Sequence, residues 1–244
     1  MARKFLLSLF VPFLLAAPAA ALDGQTILKQ VDHNLQPGNL EMYRKLINIE
    51  PSGLRKQYLL WILKKDNDKI VALFISPASE KGRSTLRLGD NMWLYIPNVG
   101  RPIRITSIQS VIGGVFNNAD IMRLDFSQEY RVIGMKDQGR EYVLELKAKT
   151  NAVAYDRLLM WVLKREVVPT KIECYASTGM LIKVMYYKNI KNLGDGVVAP
   201  SVVETVSPLQ KNYKSIMVMG NLKKRSISNE VFTFNYMPRV GNLR

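Results

Sequence analysis

Tyr58-Leu59-Leu60-Trp61-Ile62-Leu63-Lys64-Lys65-Asp66-Asn67-Asp68-Lys69-Ile70-Val71-Ala72-Leu73-Phe74-Ile75 is the stretch that decides the fold. Two short apolar runs, rich in β-branched and aromatic residues, flank an Asp-Asn-Asp turn, the pattern of a β-hairpin. Neither run alternates. Both faces of each strand are apolar, so each needs cover on both sides, with packed elements on one and a lumen or lid on the other. Leu158 to Leu163 reads the same way, whereas Glu141 to Lys149 alternates, with Tyr142, Leu144, Leu146 and Ala148 on one face and Val143, Glu145, Lys147 and Lys149 on the other.

Moving outward, further strands are predicted at Glu41 to Ile49, Lys56 to Lys64, Lys69 to Ile75, Ser84 to Leu88, Asn91 to Ile96, Ile103 to Thr106, Tyr130 to Lys136, Glu141 to Lys149, Arg157 to Arg165, Thr170 to Ala176, Leu181 to Lys188, Ser201 to Ser207 and Lys214 to Asn221. Gly89-Asp90-Asn91, Asp137-Gln138-Gly139, Ser177-Thr178-Gly179 and Gly194-Asp195-Gly196 separate neighbouring runs by tight turns, which join antiparallel strands. Helical signal between strands is scarce, so an up-and-down meander is expected rather than a parallel sheet. So many antiparallel strands curl. The expected fold is mainly β (α+β), a strongly curved antiparallel sheet forming a half-open barrel, closed by a few short helices over a hydrophobic cavity. Asp23 caps a helix to about His33; a second helix, capped by Asn118, carries Ala119, Met122 and Phe126 as a lid or plug; a third begins at Ser228 or Asn229 and ends by Pro238.

The first residues bear on location. Arg3-Lys4 precede an apolar run from Phe5 to Ala17, shorter than the roughly 20 residues a spanning helix needs, and Ala19-Ala20-Ala21 closes it with the small residues of a cleavage site. Residues 1–21 are expected to be a signal peptide and 22–244 a single exported, periplasmic domain. The residue after the cut is Leu22, so no lipidated N-terminal cysteine is expected. Cys174 is the lone cysteine, which excludes an internal disulfide framework and leaves the core to hold the fold. Without Arg3 and Lys4 the chain has 33 basic against 20 acidic residues, a charge of +13. In an exported protein such a balance points to an anionic membrane surface rather than nucleic acid.

Catalytic equipment is sparse. His33 is the only histidine, so a multi-histidine metal site is excluded and the residue reads as an ordinary helix-end side chain. Neither a Gly-x-Ser-x-Gly elbow nor a phosphate loop occurs, and Pro200 spoils the Gly194-Asp195-Gly196 match to a dinucleotide motif. Asp120 and Asp125 read as a helix-start and a solvent-facing carboxylate. Cys174 reads as a small buried apolar residue. No catalytic residue, metal or cofactor is expected. Binding chemistry is better represented: Trp61, Phe74, Leu88, Trp93, Tyr95, Ile105, Phe116, Met122, Trp161 and Met185, with Met217, are candidates to line an acyl-chain cavity, and Arg101 and Arg104 to meet headgroups or a membrane.

Leu88-Gly89-Asp90-Asn91-Met92-Trp93-Leu94-Tyr95-Ile96-Pro97, followed by Arg104-Ile105, by Gly114-Val115-Phe116 and by a helix with Asp120 and Asp125, resembles the outer-membrane lipoprotein-sorting-like proteins. These are relatives of the carrier LolA and the receptor LolB. The resemblance covers most of the mature chain, with its specific motif within about residues 77–125. It implies a half-open barrel receiving acyl chains, and a carrier or chaperone that moves a lipoprotein or lipid across the envelope. Two other roles are compatible with such a cavity, a lipid-modifying enzyme of the phospholipase-like hydrolase kind and an accessory subunit of an inner-membrane lipid export complex. Asn117-Asn118-Ala119-Asp120 departs from the more serine-rich run expected there, and no local motif shows which arginine would match the family's cavity arginine.

Overall fold

The computed structural model describes residues 23–110 and 112–244; the predicted signal peptide lies outside them. Helix α1 (Gly24–Leu35) starts at Asp23, whose carboxylate accepts from the Thr26 amide at 2.9 Å, and buries Ile27, Leu28 and Val31. The strands that follow are β1 (Leu40–Ile49), β2 (Arg55–Lys65), β3 (Lys69–Ser76), β4 (Ser84–Leu88), β5 (Asn91–Tyr95) and β6 (Ile103–Ile105). Two single helical turns come next, α2 (Asn118–Ile121) and α3 (Phe126–Glu129). The second run is β7 (Tyr130–Gln138), β8 (Glu141–Ala148), β9 (Arg157–Leu163), β10 (Pro169–Tyr175), β11 (Leu181–Asn192), β12 (Val198–Ser207) and β13 (Gln210–Lys224).

These strands form one antiparallel sheet of 13 strands that does not close, ordered β6-β5-β4-β3-β2-β1-β13-β12-β11-β10-β9-β8-β7. The expected half-open barrel with helices is present, but its topology is not a single meander. Two meanders meet where β1 pairs with β13, Leu46 opposite Met217 and Ile49 opposite Lys214. The free edges are β6 and β7, and the chain between them, described over residues 106–110 and 112–129, bridges the open seam.

The doubly apolar hairpin is covered on both faces. Leu60, Ile62, Ile70, Ala72 and Phe74 join the main core with α1 and residues 112–126 on the concave side. Trp61, Leu63, Val71, Leu73 and Leu86 form a second core with Ile227, Val231, Phe232, Met237 and Val240. The C-terminal segment therefore lies on the outer face, as 3-10 turns at Asn229–Phe232 and Met237–Leu243, the first capped by Ser228. Pro238 opens the second turn rather than ending a helix, a position that tolerates its missing N–H. On β9 only the inner face has such cover: Leu158, Met160 and Val162 are in the main core, while outward Trp161 is half-buried beneath the Lys171 ammonium, 3.5 Å from its ring.

Candidate functional site

The bridging segment does not pass outside the barrel. It runs into the concave side as a plug: Phe116, Ala119, Ile121, Met122, Leu124 and Phe126 all belong to the main core. Its path is set by Gly113 and Gly114, with φ of 70° and 75°. A Cβ on Gly114 would stand 2.2 Å from Asn48 Oδ1, whereas one on Gly113 would meet nothing within 4 Å. Gly114→Ala is therefore expected to lower the melting temperature by roughly 5–10 °C, and Gly113→Ala, which adds only left-handed strain, by less than half of that in the same calorimetric scan.

The predicted plug helix is interrupted, and its cap is shifted by one residue. Asn117, not Asn118, caps it: the Asn117 side chain accepts from the Asp120 amide at 3.1 Å, and the Asp120 carboxylate accepts from the Asn117 amide at 3.0 Å. This reciprocal pair satisfies two amides that would otherwise be orphaned. Asn118 instead donates to the Thr106 carbonyl at 2.8 Å. The helix stops after one turn because side chains from the sheet claim its last carbonyls. Arg44 donates to the Ile121 carbonyl, and Arg87 to the Met122 carbonyl at 3.0 Å. The Phe126 amide, which would continue the helix onto Met122, donates to Asp32 Oδ1 at 2.6 Å, and the Ser127 amide to Oδ2 at 2.8 Å. Asp32 on α1 thus seats α3.

Four buried cations grip the plug. Arg44 and Arg87 hold α2 and its end, with Arg87 also paired to Glu129. Lys183 donates to the Val115 carbonyl and to Asp120 Oδ2, the latter at 2.8 Å, and Lys64 reaches Asp125 at 2.5 Å and the Gln36 carbonyl at 3.2 Å. Asn48 adds bonds to the carbonyls of Ile112 and Gly113 at 3.3 and 3.1 Å. All five anchoring side chains are at most 3 % exposed. Asp120 and Asp125 are consequently both engaged, Asp120 buried and Asp125 half-buried. Asp120, 2 % exposed, also accepts from the Tyr155 hydroxyl at 2.9 Å and lies 3.9 Å from Arg123.

Burial and the neighbouring Arg123 push the Arg44 guanidinium down to about 10, and its Nε has no hydrogen-bond partner among the described residues. Burial also raises the Tyr155 phenol and the Cys174 thiol, and Cys174 is fully buried. His33 is exposed, and among the described residues no group of three His, Cys, Asp or Glu is placed to hold a metal ion.

Burial raises the Asp32 carboxyl from 3.8 to about 6, outweighing the hydrogen bonds from Ser127 and Phe126 that lower it. A carboxyl raised on folding favours the native state when protonated. Its contribution is full below about pH 4 and lost as pH rises through 6, on the order of 3 kcal/mol in all. The difference in unfolding free energy between wild type and Asp32→Asn, measured in urea from pH 4 to 7, is expected to trace that loss; a pH-independent difference contradicts it.

The aromatic and methionine candidates divide between two faces of the sheet. Phe74, Phe116, Met122, Met185 and Met217 are in the main, concave core, and Ile105 packs against it half-buried. Trp61 is in the outer core, and Leu88, Trp93 and Tyr95 pack against that core; Trp93 meets Phe234 edge-on at 4.9 Å. Trp161 also faces outward. These five therefore do not share a cavity with the others, because strand side chains alternate and each sits one residue out of phase with a concave neighbour such as Ile62 or Met92. Arg101 and Arg104 are exposed beside the β6 edge, with Arg104 bonded to Asn91 at 2.5 Å.

The buried cations were not singled out in the sequence, although a signal for them exists. Arg44 shares its phase with Leu40, Met42 and Leu46, Lys64 with Leu60 and Ile62, and Lys183 with Met185 and Tyr187. A cation in register with a buried apolar row must find carbonyls or a carboxylate. Between plug and wall, beside Arg44, Arg123 and Tyr187, remains a cavity of about 30 Å³, walled by Phe116, Val203 and Met217. That is about a tenth of the roughly 300 Å³ at which ligand pockets begin, so with the plug seated there is no room for an acyl chain.

A family model described as an uncharacterized protein matches residues 66–239. No curated protein matches the sequence significantly. Among solved structures, a LolA superfamily protein from Nitrosomonas europaea is 27% identical, with a TM-score of 0.80 over 88% of this chain and 100% of its own. A DUF1329 family protein from Desulfovibrio piger (19% identity, TM-score 0.76, 88% and 97% covered) has the same fold. So does a domain described as an outer-membrane lipoprotein-sorting protein from Vibrio parahaemolyticus (18% identity, TM-score 0.74, 88% and 98% covered). With its open antiparallel barrel, interior plug and these matches, the chain belongs to the LolA-like superfamily.

Proposed function

We propose that this protein is a periplasmic carrier that shields the acyl chains of a lipoprotein or lipid in the concave side of the half-barrel, admitting them when the plug swings out. The observation that carries the reading is the way the plug is held. Among the described residues its backbone joins no sheet ladder; it is fastened by side chains from the strands, above a wall of Leu, Ile and Met. Such contacts can be exchanged without breaking a strand, and the apolar wall they uncover gains about 0.8 kcal/mol for each methylene it buries. Unbranched Met160, Met185 and Met217 suit chains of variable shape. The interior would then be lined by Phe74, Ile105 and these methionines, Phe116 leaving with the plug. The N-terminal apolar segment supports export, and the lipoprotein-sorting neighbour supports an acylated cargo.

The test is direct. Lipid extracted from the purified protein is identified by mass spectrometry, and the delipidated protein is then titrated with a fluorescent fatty acid. Saturable binding at one site per chain, displaced by phospholipid or acylated peptide, is expected. A delipidated protein that neither acquires lipid nor shields the probe overturns the carrier reading, and release of free fatty acid from labelled phospholipid favours the hydrolase instead.

A further inference from the structure

In the sheet order, β2-β1, β13-β12 and β11-β10 are consecutive pairs, so the turns that join them lie side by side at one end of the barrel. The registers agree: Ile49 is opposite both Arg55 and Lys214, Ser207 opposite Gln210, and Tyr175 opposite Leu181. Each turn carries one large aliphatic residue at its tip among small polar ones, in Pro51-Ser52-Gly53-Leu54, Ser177-Thr178-Gly179-Met180 and Ser207-Pro208-Leu209-Gln210. Leu54 is 53% exposed, Met180 50% and Leu209 56%, and none belongs to either core. The turns themselves need only polar, Gly and Pro residues. The fold gives no reason for an aliphatic side chain at all three.

Beside them, Ile108 of the plug segment is 61% exposed. A cleft of about 160 Å³ opens there between Ile108, Ile182 and Leu209, lined by Gly114 and Val115 at the entry to the plug and by Lys183 of β11. Cations ring the same turns. Arg55 and Lys211 are exposed, and Lys56 and Lys214 pair with Glu50 and Glu204 at 2.6 and 2.8 Å. Protruding single aliphatic tips flanked by hydroxyls and cations suit the headgroup layer of an anionic bilayer, where apolar tips enter and Lys and Arg meet phosphate. A flat protein partner would be met by a contiguous apolar patch instead.

We propose that this rim docks on an anionic lipid bilayer, with Leu54, Met180 and Leu209 inserted among the headgroups and the Ile108 cleft facing the membrane as the route to the interior. The docking surface stands on its own geometry; its purpose, transfer of cargo, rests on the carrier reading.

The experiment uses the purified protein, its N-terminus established by intact mass, and sedimentation with vesicles of phosphatidylethanolamine and phosphatidylglycerol or of phosphatidylcholine alone. Binding to the anionic vesicles is expected to exceed binding to the neutral ones at least tenfold. The combined variant Leu54→Ser, Met180→Ser, Leu209→Ser is expected to lose at least tenfold in anionic-vesicle partition at an unchanged melting temperature. Because Cys174 is buried, a polarity-sensitive dye can be attached selectively at Leu209→Cys or, at the opposite end of the barrel, at Val198→Cys. The dye at 209 is expected to shift to the blue on anionic vesicles, and the dye at 198 to stay unchanged. Equal binding by the triple variant, no preference for anionic vesicles, or equal shifts at both positions overturns the proposal. Fluorescent fatty acid binding without vesicles is read in parallel. Its loss with docking intact removes the carrier reading alone, and the reverse result removes docking alone.

Discussion

Asp120→Ala is expected to lower the free energy of unfolding by about 3–5 kcal/mol, the usual consequence of removing one partner from a buried ion pair. Asp120 is the only carboxylate that Lys183 meets among the described residues, at 2.8 Å in a site where Lys183 is 3% exposed. Without it the ammonium keeps the Val115 carbonyl and no counter-charge. The Tyr155 hydroxyl loses its acceptor, and α2 loses its capping box, which alone is worth about 1 kcal/mol. The double variant Asp120→Asn, Lys183→Met tests the cause, since it removes the orphaned charge and keeps an acceptor for Tyr155; at least half of the lost stability should return. Urea denaturation followed by tryptophan fluorescence measures both. A loss below about 1 kcal/mol for Asp120→Ala would falsify the view that this pair holds the plug.

Arg44→Met should have the opposite character, a small effect on stability and a large one on binding. Arg44 spends a charge-assisted bond on the Ile121 carbonyl, worth about 1.5–3 kcal/mol, in favour of the seated plug. Against that stands its own burial: it is 1% exposed, its Nε has no partner among the described residues, and Arg123 repels it. Methionine of similar length removes both the bond and the desolvated charge, so the change in unfolding free energy is expected within about 1.5 kcal/mol of zero. On the proposed carrier reading, the balance between seated and displaced plug moves further, because only the seated state holds the bond. A ligand that needs the displaced plug then gains apparent affinity in proportion to the new population. A tenfold or greater tightening for the fluorescent fatty acid is expected, equivalent to about 1.4 kcal/mol. Unchanged or weaker binding by a variant that melts with the wild type separates Arg44 from the gate.

Together these variants distinguish two duties of the buried charges. Asp120 and Lys183 join plug to sheet from both sides, so their pair is a structural joint. Arg44 acts on a backbone carbonyl from the sheet side alone, and its loss leaves no charge behind on the plug. Arg87 combines both, with one nitrogen on the Met122 carbonyl and another on Glu129. The seated plug keeps the apolar lumen from water: Phe116, Ile121, Met122 and Phe126 fill it. A half-barrel left open would expose that wall, a liability for any freely diffusing protein.

Strand positions, turns, the first helix and the half-open curvature could all be read from the sequence, because they follow from local chemistry. Period-two patterning, turn residues such as Asp66-Asn67-Asp68 and an N-cap at Asp23 act over a few residues, and β4 (Ser84–Leu88) was placed to the residue. Local chemistry does not orient a strand that is apolar on both faces. Trp61 and Ile62 look alike in the chain; only the C-terminal segment docking on one side and the plug on the other assigns Trp61 to the outer core and Ile62 to the inner. The pairing of β1 with β13 joins residues more than 160 positions apart, as Asn48 and Ser215 show, and no turn signal announces it. The same holds for the interrupted plug helix, whose spacing is helical but whose carbonyls are taken by Arg44 and Arg87 from distant strands. The sequence by itself determined a curved antiparallel sheet with an apolar interior. The tertiary structure alone decided which residues face that interior and which cations hold its plug, since both depend on contacts made across the fold.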